Sequence, residues 1–338
     1  MQRVNAVLSG LGNIGSRFVG VLDRKREIIQ SKYGLDVRLV AVADVGGAAL
    51  DEDGLDLAHL AGLKGRSVAE SVGKPGVSIL QVLDAVKADI FFEATPVNLQ
   101  TGEPGLSAIR AALRRRMHVV TPNKGPLALA YGELRDLARE NGVQLRHSGA
   151  VFGGLPTVNI GQRDLVGATI LRIEAQANLA NSYILDKMGG GMVYREAVQA
   201  AQAQGCCAPD ESLDVEGWDA VIKLVILANS VLGMDARIDD VAREGITHLT
   251  PDAVARVRAV GRVLKYVAMA EHQADGTYHL SVAPRELAPS HPLAALGPLS
   301  MGVVYTSDLY GTISAAITEE EPTPSASSLL RDMISIYS

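Results

Sequence analysis

Lys223 and Asp219 stand four residues apart at the head of an apolar run, Leu224-Val-Ile-Leu-Ala228. On a helix that spacing puts both side chains on one face. Asp214 precedes the turn that Gly217 allows, so two carboxylates and an amine gather at the mouth of one helix. An ammonium fixed there can lie against a substrate oxygen and give up a proton when hydride reaches the adjoining carbon. The same spacing also makes surface ion pairs that merely support a helix. The stretch alone leaves both readings open.

The start of the chain narrows the choice. Arg3-Val-Asn-Ala-Val-Leu-Ser9 reads as a buried strand, Gly10-Leu-Gly-Asn-Ile-Gly15 follows at once, and a helix runs from Ser16 to about Lys25. Strand, G-x-G-x-x-G turn and helix in that order form a dinucleotide cradle. Gly10 makes the tight turn, Gly12 admits the pyrophosphate to the backbone, and Gly15 packs helix on strand, while the turn residues Asn13 and Ile14 lie at the helix N-terminus that faces the phosphates. A second buried strand, Val37–Ala43, ends in Asp44. An acid there can accept hydrogen bonds from the adenosine ribose and repel a 2′-phosphate, which favours NAD over NADP. Asp44 could equally cap the next turn, and Arg17 could reach a 2′-phosphate. A third strand, Ala88–Ala94, ends at Thr95-Pro96, and Met117–Gly125 is a strand running into a turn with Lys124 at its tip. Turns at the carboxyl ends of parallel strands are where such sheets bind ligands. As a bare loop residue, Lys124 would lie in solvent. Glu93 falls at the same strand end as Thr95, near the expected nicotinamide.

These motifs require elements to hold them. Strand–helix alternation to Gly149 predicts a parallel, doubly wound sheet, a Rossmann-type domain over residues 1–149. The Asp51–Val77 stretch reads as a helix and loops at its edge. After Gly149 the texture shifts to Gly-rich crossover, alternating strand (Ala168–Ala177) and helices (Tyr194–Gln204, Asp219–Leu232, Pro251–Ala259), with further strands at Val263–Glu271 and Thr277–Ala283. That is an α+β domain over 150–310. An amphipathic helix near the end, within 311–338, is expected to return to the first domain.

Of the 338 residues 47% are hydrophobic and 21% charged, with net charge −6, which describes an ordinary globular protein. Arg114-Arg-Arg116 is the one tight cationic cluster and lies in helical sequence, so nucleic acid is not expected as a partner. No apolar run is long enough for a membrane span and no signal-peptide pattern opens the chain. Cys206 and Cys207 are adjacent, a spacing that suits neither a disulfide nor a metal, so a reducing cytoplasm and no structural metal are expected.

With these pieces in order, the chain resembles homoserine dehydrogenase, in the short form without a regulatory domain. The resemblance rests on Gly10–Gly15, Thr95-Pro96, Val119-Val-Thr-Pro-Asn-Lys-Gly-Pro-Leu127, Gly153-Gly-Leu-Pro156, Ser212–Leu227 and His291-Pro-Leu293, and spans nearly the whole chain. It implies a Rossmann domain, a catalytic and dimerisation domain, a homodimer, and NAD(P)-linked interconversion of aspartate semialdehyde and homoserine. It implies that Lys124 and Lys223 are the catalytic lysines, that Asp219 orients Lys223, and that Asp214 lines the same site. Two lysines from different domains would meet across a cleft, where lost hydration brings an ammonium toward a useful acidity.

Four departures fall on the substrate side. Ala208 stands where the family has the glutamate that holds the substrate ammonium. Leu179-Ala180 replaces Gly-Thr at the amino-acid end. Ser148 replaces a glutamate associated with a monovalent cation, and Glu319-Glu-Glu321 replaces a Gly-Ala-Gly loop before the last helix. An ammonium buried without its partner is costly. Either another small aldehyde or alcohol is the substrate, or Glu211, Glu216 or one of Glu319–Glu321 takes the ammonium. An NAD-binding protein without turnover, or a Rossmann enzyme that borrows its cofactor transiently, is a competing reading; the joint presence of Lys124, Asp219 and Lys223 speaks against it.

Overall fold

A computed structural model of the protein describes residues 1–63 and 66–338; Lys64 and Gly65, within the Asp51–Val77 stretch, lie outside the described residues. The chain divides into two compact units, one made of Met1–Pro156 with Glu321–Ser338 and the other of Thr157–Glu320.

The first unit contains β1 (Gln2–Ser9), α1 (Asn13–Tyr33), β2 (Leu35–Ala43), β3 (Gly47–Leu50), α2 (Leu57–Gly62), β4 (Lys74–Pro75), α3 (Ile79–Ala85), β5 (Ile90–Glu93), α4 (Gly105–Arg114), β6 (His118–Val120), α5 (Lys124–Glu140) and β7 (Leu145–Arg146). Its sheet runs β4-β3-β2-β1-β5-β6-β7. The run from β2 to β7 is parallel, while β3 and β4 add antiparallel strands at one edge. Alternation along β1 explains the two layers. Val4, Ala6 and Leu8 pack with Phe18 and Leu22 of α1 on one face, while Val7 packs on the other with Val82, Ile109, Leu113 and Leu134 of α3, α4 and α5. Burial of such side chains contributes ~1.5–3 kcal/mol each. Strand order reverses beside β1, so the carboxyl ends of β1 and β5 border the crevice of an open α/β sheet.

Helix α1 is longer than its sequence suggests. It continues to Tyr33 and stops at Gly34, which takes a left-handed φ of 68° and donates to the Ile29 and Gln30 carbonyls. This length accounts for the wide spacing between Gly15 and Asp44. Helix α5 also begins earlier than Pro126, because the Asn123 side chain accepts from Gly125 N and caps it at Lys124.

The second unit contains α6 (Thr157–Asn159), β8 (Ile170–Gln176), α7 (Leu179–Gly189), α8 (Tyr194–Ala203), α9 (Ser212–Val215), α10 (Trp218–Val231), β9 (Val241–Arg243), α11 (Pro251–Ala259), β10 (Val263–His272), β11 (Tyr278–Leu287), β12 (Ser300–Ser307) and β13 (Gly311–Thr318). Its sheet runs β13-β12-β8-β10-β11-β9 and is antiparallel apart from the β9–β11 pair. Helices α7, α10 and α11 pack against β10. Helix α12 (Thr323–Tyr337) belongs to the first unit, where Ala326, Leu329 and Met333 enter the same core layer as Phe18.

Candidate active site

Each unit carries one group of the residues singled out in the sequence. In the second, Gly217 takes a left-handed φ of 89° and opens α10. No side chain fits there, since a Cβ would fall 1.8 Å from the Tyr266 hydroxyl. The turn sets Asp219 and Lys223 one helical turn apart on a mostly buried face, 17% and 13% exposed, with Lys223 Nζ 2.7 Å from Asp219 Oδ2. Lys223 Nζ also donates to the Ala177 carbonyl at 2.6 Å. Asn178 completes the group. Its Nδ2 donates to Asp214 Oδ1 at 2.7 Å and to Asp219 Oδ2 at 3.1 Å, and its Oδ1 caps α7 by accepting from Asn181 N. Asn181 in turn donates to the Asp214 carbonyl at 2.7 Å. The structure thus brings Asp214, Asp219 and Lys223 together through Asn178, which the sequence reading does not single out. Burial and then the Asp214 charge push the neighbouring Cys207 thiol up to about 12, so it stays protonated beside that carboxylate.

The surroundings of α10 are aromatic and charged. Arg243 stacks on the Trp218 ring at 3.9 Å, and Trp218 Nε1 donates to Glu216. Glu216 is therefore already engaged. Ala208 is exposed, and its carbonyl accepts from Gln202. Tyr305 is buried and bonded to the Thr157 carbonyl, a core role.

In the first unit, Gly10, Gly12, Asn13, Ile14 and Gly15 form the β1–α1 turn. A Cβ on Gly10 would lie 2.3 Å from the Ala94 carbonyl and one on Gly15 1.9 Å from the Gly10 carbonyl, whereas one on Gly12 would meet nothing within 4 Å. Two glycines close the fold and the third leaves room over an α1 N-terminus that no side chain caps. An uncapped helix start beneath an open glycine fits a pyrophosphate. A groove alongside is lined by Asn13, Ser16, Arg17, Arg24, Glu321 and Thr323.

Asp44 ends β2 among backbone and hydroxyl donors. Its carboxylate accepts from Gly46 N (2.8 Å), Gly47 N (3.3 Å), the Ser67 hydroxyl (2.8 Å) and Val68 N (2.7 Å). Three of these donors fall on Oδ1 and one on Oδ2, so Asp44 ties the β2–β3 turn to the loop before Val68 and keeps acceptor capacity on Oδ2. Thr95 and Pro96 follow β5, and Lys124 is half-buried as the first residue of α5. Thr95 and the Lys124 turn are joined through Glu93, which the structure shows to be fully buried. The carboxylate accepts from Thr95 N at 2.8 Å, the Thr95 hydroxyl, the Thr121 hydroxyl at 2.8 Å and Asn123 Nδ2 at 3.4 Å.

Comparison with known proteins agrees with both halves. The model for the homoserine dehydrogenase NAD binding domain matches residues 10–148, and that for homoserine dehydrogenase itself matches 156–334. The chain belongs to the homoserine dehydrogenase family. The homoserine dehydrogenase of Methanocaldococcus jannaschii is 36% identical over 99% of this chain and 98% of its own. An NAD(+)-dependent homoserine dehydrogenase of Pseudomonas canavaninivorans is 35% identical over 100% and 97%. A provisionally named homoserine dehydrogenase of Archaeoglobus fulgidus has a crystal structure that superposes with a TM-score of 0.87 at 31% identity, covering 99% of each chain. As a homoserine dehydrogenase relative, the protein is an oxidoreductase acting on a CH–OH group, with an NAD-binding Rossmann-type domain. Among the described residues no helix is long and apolar enough to cross a membrane.

Proposed function

We propose that the protein interconverts homoserine and aspartate semialdehyde with NAD, and that Lys223 is the acid that protonates the carbonyl oxygen during reduction. The observation that carries this reading is the Lys223 ammonium held 2.7 Å from Asp219 and 2.6 Å from the Ala177 carbonyl, with Asn178 bridging Asp219 to Asp214. A nicotinamide held by the β1–α1 turn would supply or accept the hydride. When negative charge grows on the carbonyl oxygen, the fixed Lys223 ammonium stabilises it and transfers a proton to it. Asp219 keeps the ammonium charged and aimed, and Asp214 fixes Asn178. Lys124 is the second cation of the same reaction. Gly10, Gly12 and Gly15, with the Asn13 and Ile14 amides, hold the pyrophosphate, and Thr95 and Pro96 border the nicotinamide. Residues 1–149 with the C-terminal helix are read as the cofactor domain and 150–310 as the catalytic and dimerisation domain of a cytoplasmic homodimer.

A second reading has a specific observation behind it. Ala208 is exposed and offers no carboxylate, and Ala180 in the first turn of α7 is buried and offers no hydroxyl. These favour a small hydroxy compound without an amine. A spectrophotometric screen of NAD and NADP reduction decides between them, with homoserine set against amine-free analogues. Efficient oxidation of homoserine, and losses on removing its amine, support the first reading; preference for the amine-free alcohol overturns it. Absence of turnover with every alcohol, alongside tight NAD binding, would leave only a binding protein. Light scattering at working concentration tests the dimer.

A further inference from the structure

We infer that Glu93 is a positioning residue that aims Lys124, acting through Asn123. The inference rests on the reading of Lys124 as catalytic. Glu93 ends β5 with its carboxylate wholly enclosed. One oxygen accepts from Thr95 N and the other from the Thr121 hydroxyl, which itself accepts from Asn123 N at 3.0 Å. Asn123 Nδ2 reaches Glu93 Oε1 at 3.4 Å and the Thr95 carbonyl at 3.3 Å, while its Oδ1 accepts from Gly125 N at 3.1 Å. The residue between Asn123 and Gly125 is Lys124, so hydrogen bonds on both sides of its backbone lead back through Asn123 to one carboxylate. The packing leaves no slack. A Cβ on Gly105 would come within 3.0 Å of both Glu93 and the Asn123 amide, and a Cβ on Gly125 would lie 2.5 Å from the Asn98 carbonyl.

Burial pushes the Glu93 carboxyl above its ordinary range, opposed by the hydrogen bonds from Thr95, Thr121 and Asn123. A buried carboxyl with that many donors on its two oxygens is a costly way to join two strand ends. An apolar side chain would fill the space, but would leave the Thr121 hydroxyl and Thr95 N–H without acceptors. What the carboxylate adds is a fixed register between the turn after β5 and the turn after β6. A misplacement of about 1 Å in a reacting group costs roughly 10²-fold in rate.

Steady-state kinetics on the full chain test this with Glu93→Gln, Thr121→Val, Lys124→Ala and the Glu93→Gln/Lys124→Ala double variant. In either orientation the Gln amide turns an N–H toward Thr95 N or the Thr121 hydroxyl. The expected result is a kcat lower by about 10- to 100-fold in Glu93→Gln and by a smaller factor in Thr121→Val. KM for NAD should move by less than about three-fold, and Glu93→Gln should cost no more than about three-fold when added to Lys124→Ala. Lys124→Ala inactive with Glu93→Gln and Thr121→Val near native kcat overturns the inference and leaves Lys124 standing. A full further loss on the Lys124→Ala background overturns it too, because Glu93 would then act on something other than Lys124. Native turnover in Lys124→Ala removes the reading of that lysine itself. If Glu93→Gln does not fold, Thr121→Val with Thr121→Val/Lys124→Ala gives the same cycle.

Discussion

Replacing Asp219 by asparagine separates charge from shape at the proposed acid. Lys223 Nζ and Asn178 Nδ2 both donate to the same oxygen, Asp219 Oδ2, at 2.7 and 3.1 Å. An asparagine with its carbonyl oxygen in that place keeps both contacts and loses only the negative charge. At 2.7 Å and an effective dielectric near 20, the gross Coulomb attraction is roughly 6 kcal/mol. Desolvation of two mostly buried groups offsets part of it, and breaking such a pair leaves a net loss of about 3 kcal/mol. If that loss falls on the transition state, kcat/KM for aldehyde reduction drops by roughly 10²-fold. The sign of the pH effect follows as well. Lysine must be protonated to donate, and a neighbouring carboxylate favours the protonated form. Without it, the alkaline limb of the reduction profile moves to lower pH. The assay is NADH oxidation against aldehyde from pH 6 to 10, with circular dichroism to show that the fold is intact. A variant within three-fold of the parent, with its alkaline limb unmoved, refutes the assignment of Lys223 as the acid.

Three further outcomes are expected. Gly12→Ala should leave the melting temperature nearly unchanged while raising the Kd for NAD at least ten-fold by calorimetry, whereas Gly10→Ala, with φ at +92° and a Cβ 2.3 Å from the Ala94 carbonyl, should destabilise by more than ~1 kcal/mol. Asp44→Ser removes an acceptor shared by four protein donors, so it should lower the melting temperature and shift the NAD/NADP ratio of kcat/KM less than about five-fold; a larger switch toward NADP would place Asp44 at the ribose. His147 is buried and held down to about 4 by desolvation. The unfolded chain therefore takes up a proton that the folded one refuses between pH 6.5 and about 4, and stability falls with pH across that window by about 3 kcal/mol. His147→Gln should flatten that part of a denaturation-versus-pH curve, and an unchanged slope would place the acid sensitivity elsewhere.

The legible parts of this protein were those where one short stretch must satisfy several constraints at once. Strand, glycine turn and helix at Gly10–Gly15 admit few other readings, and the apolar run after Lys223 fixed which face of α10 is buried. What escaped depended on partners distant in sequence. Strands β12 and β13 lie in Gly- and Ser-containing stretches that are ordered by the pairing of β12 with β8 and of β13 with β12. Helix α7 begins at an asparagine cap that composition does not distinguish from a loop. The turn contacts of Asp44 were not legible because Ser67 and Val68, more than twenty residues on, return to its carboxylate. Glu93 was visible only as an acid at a strand end, since its four donors come from two turns of chain nearly thirty residues apart.

The chain has one tryptophan, and it lies beside Asp219 with a guanidinium stacked on its ring. Its emission reports on the start of α10, where any shift of the α9–α10 turn would disturb the Arg243 stack. Titration with a hydroxy acid or amine, in the absence of nucleotide, can thus be followed beside Asp219. The molecule carries its own dye one residue from Asp219.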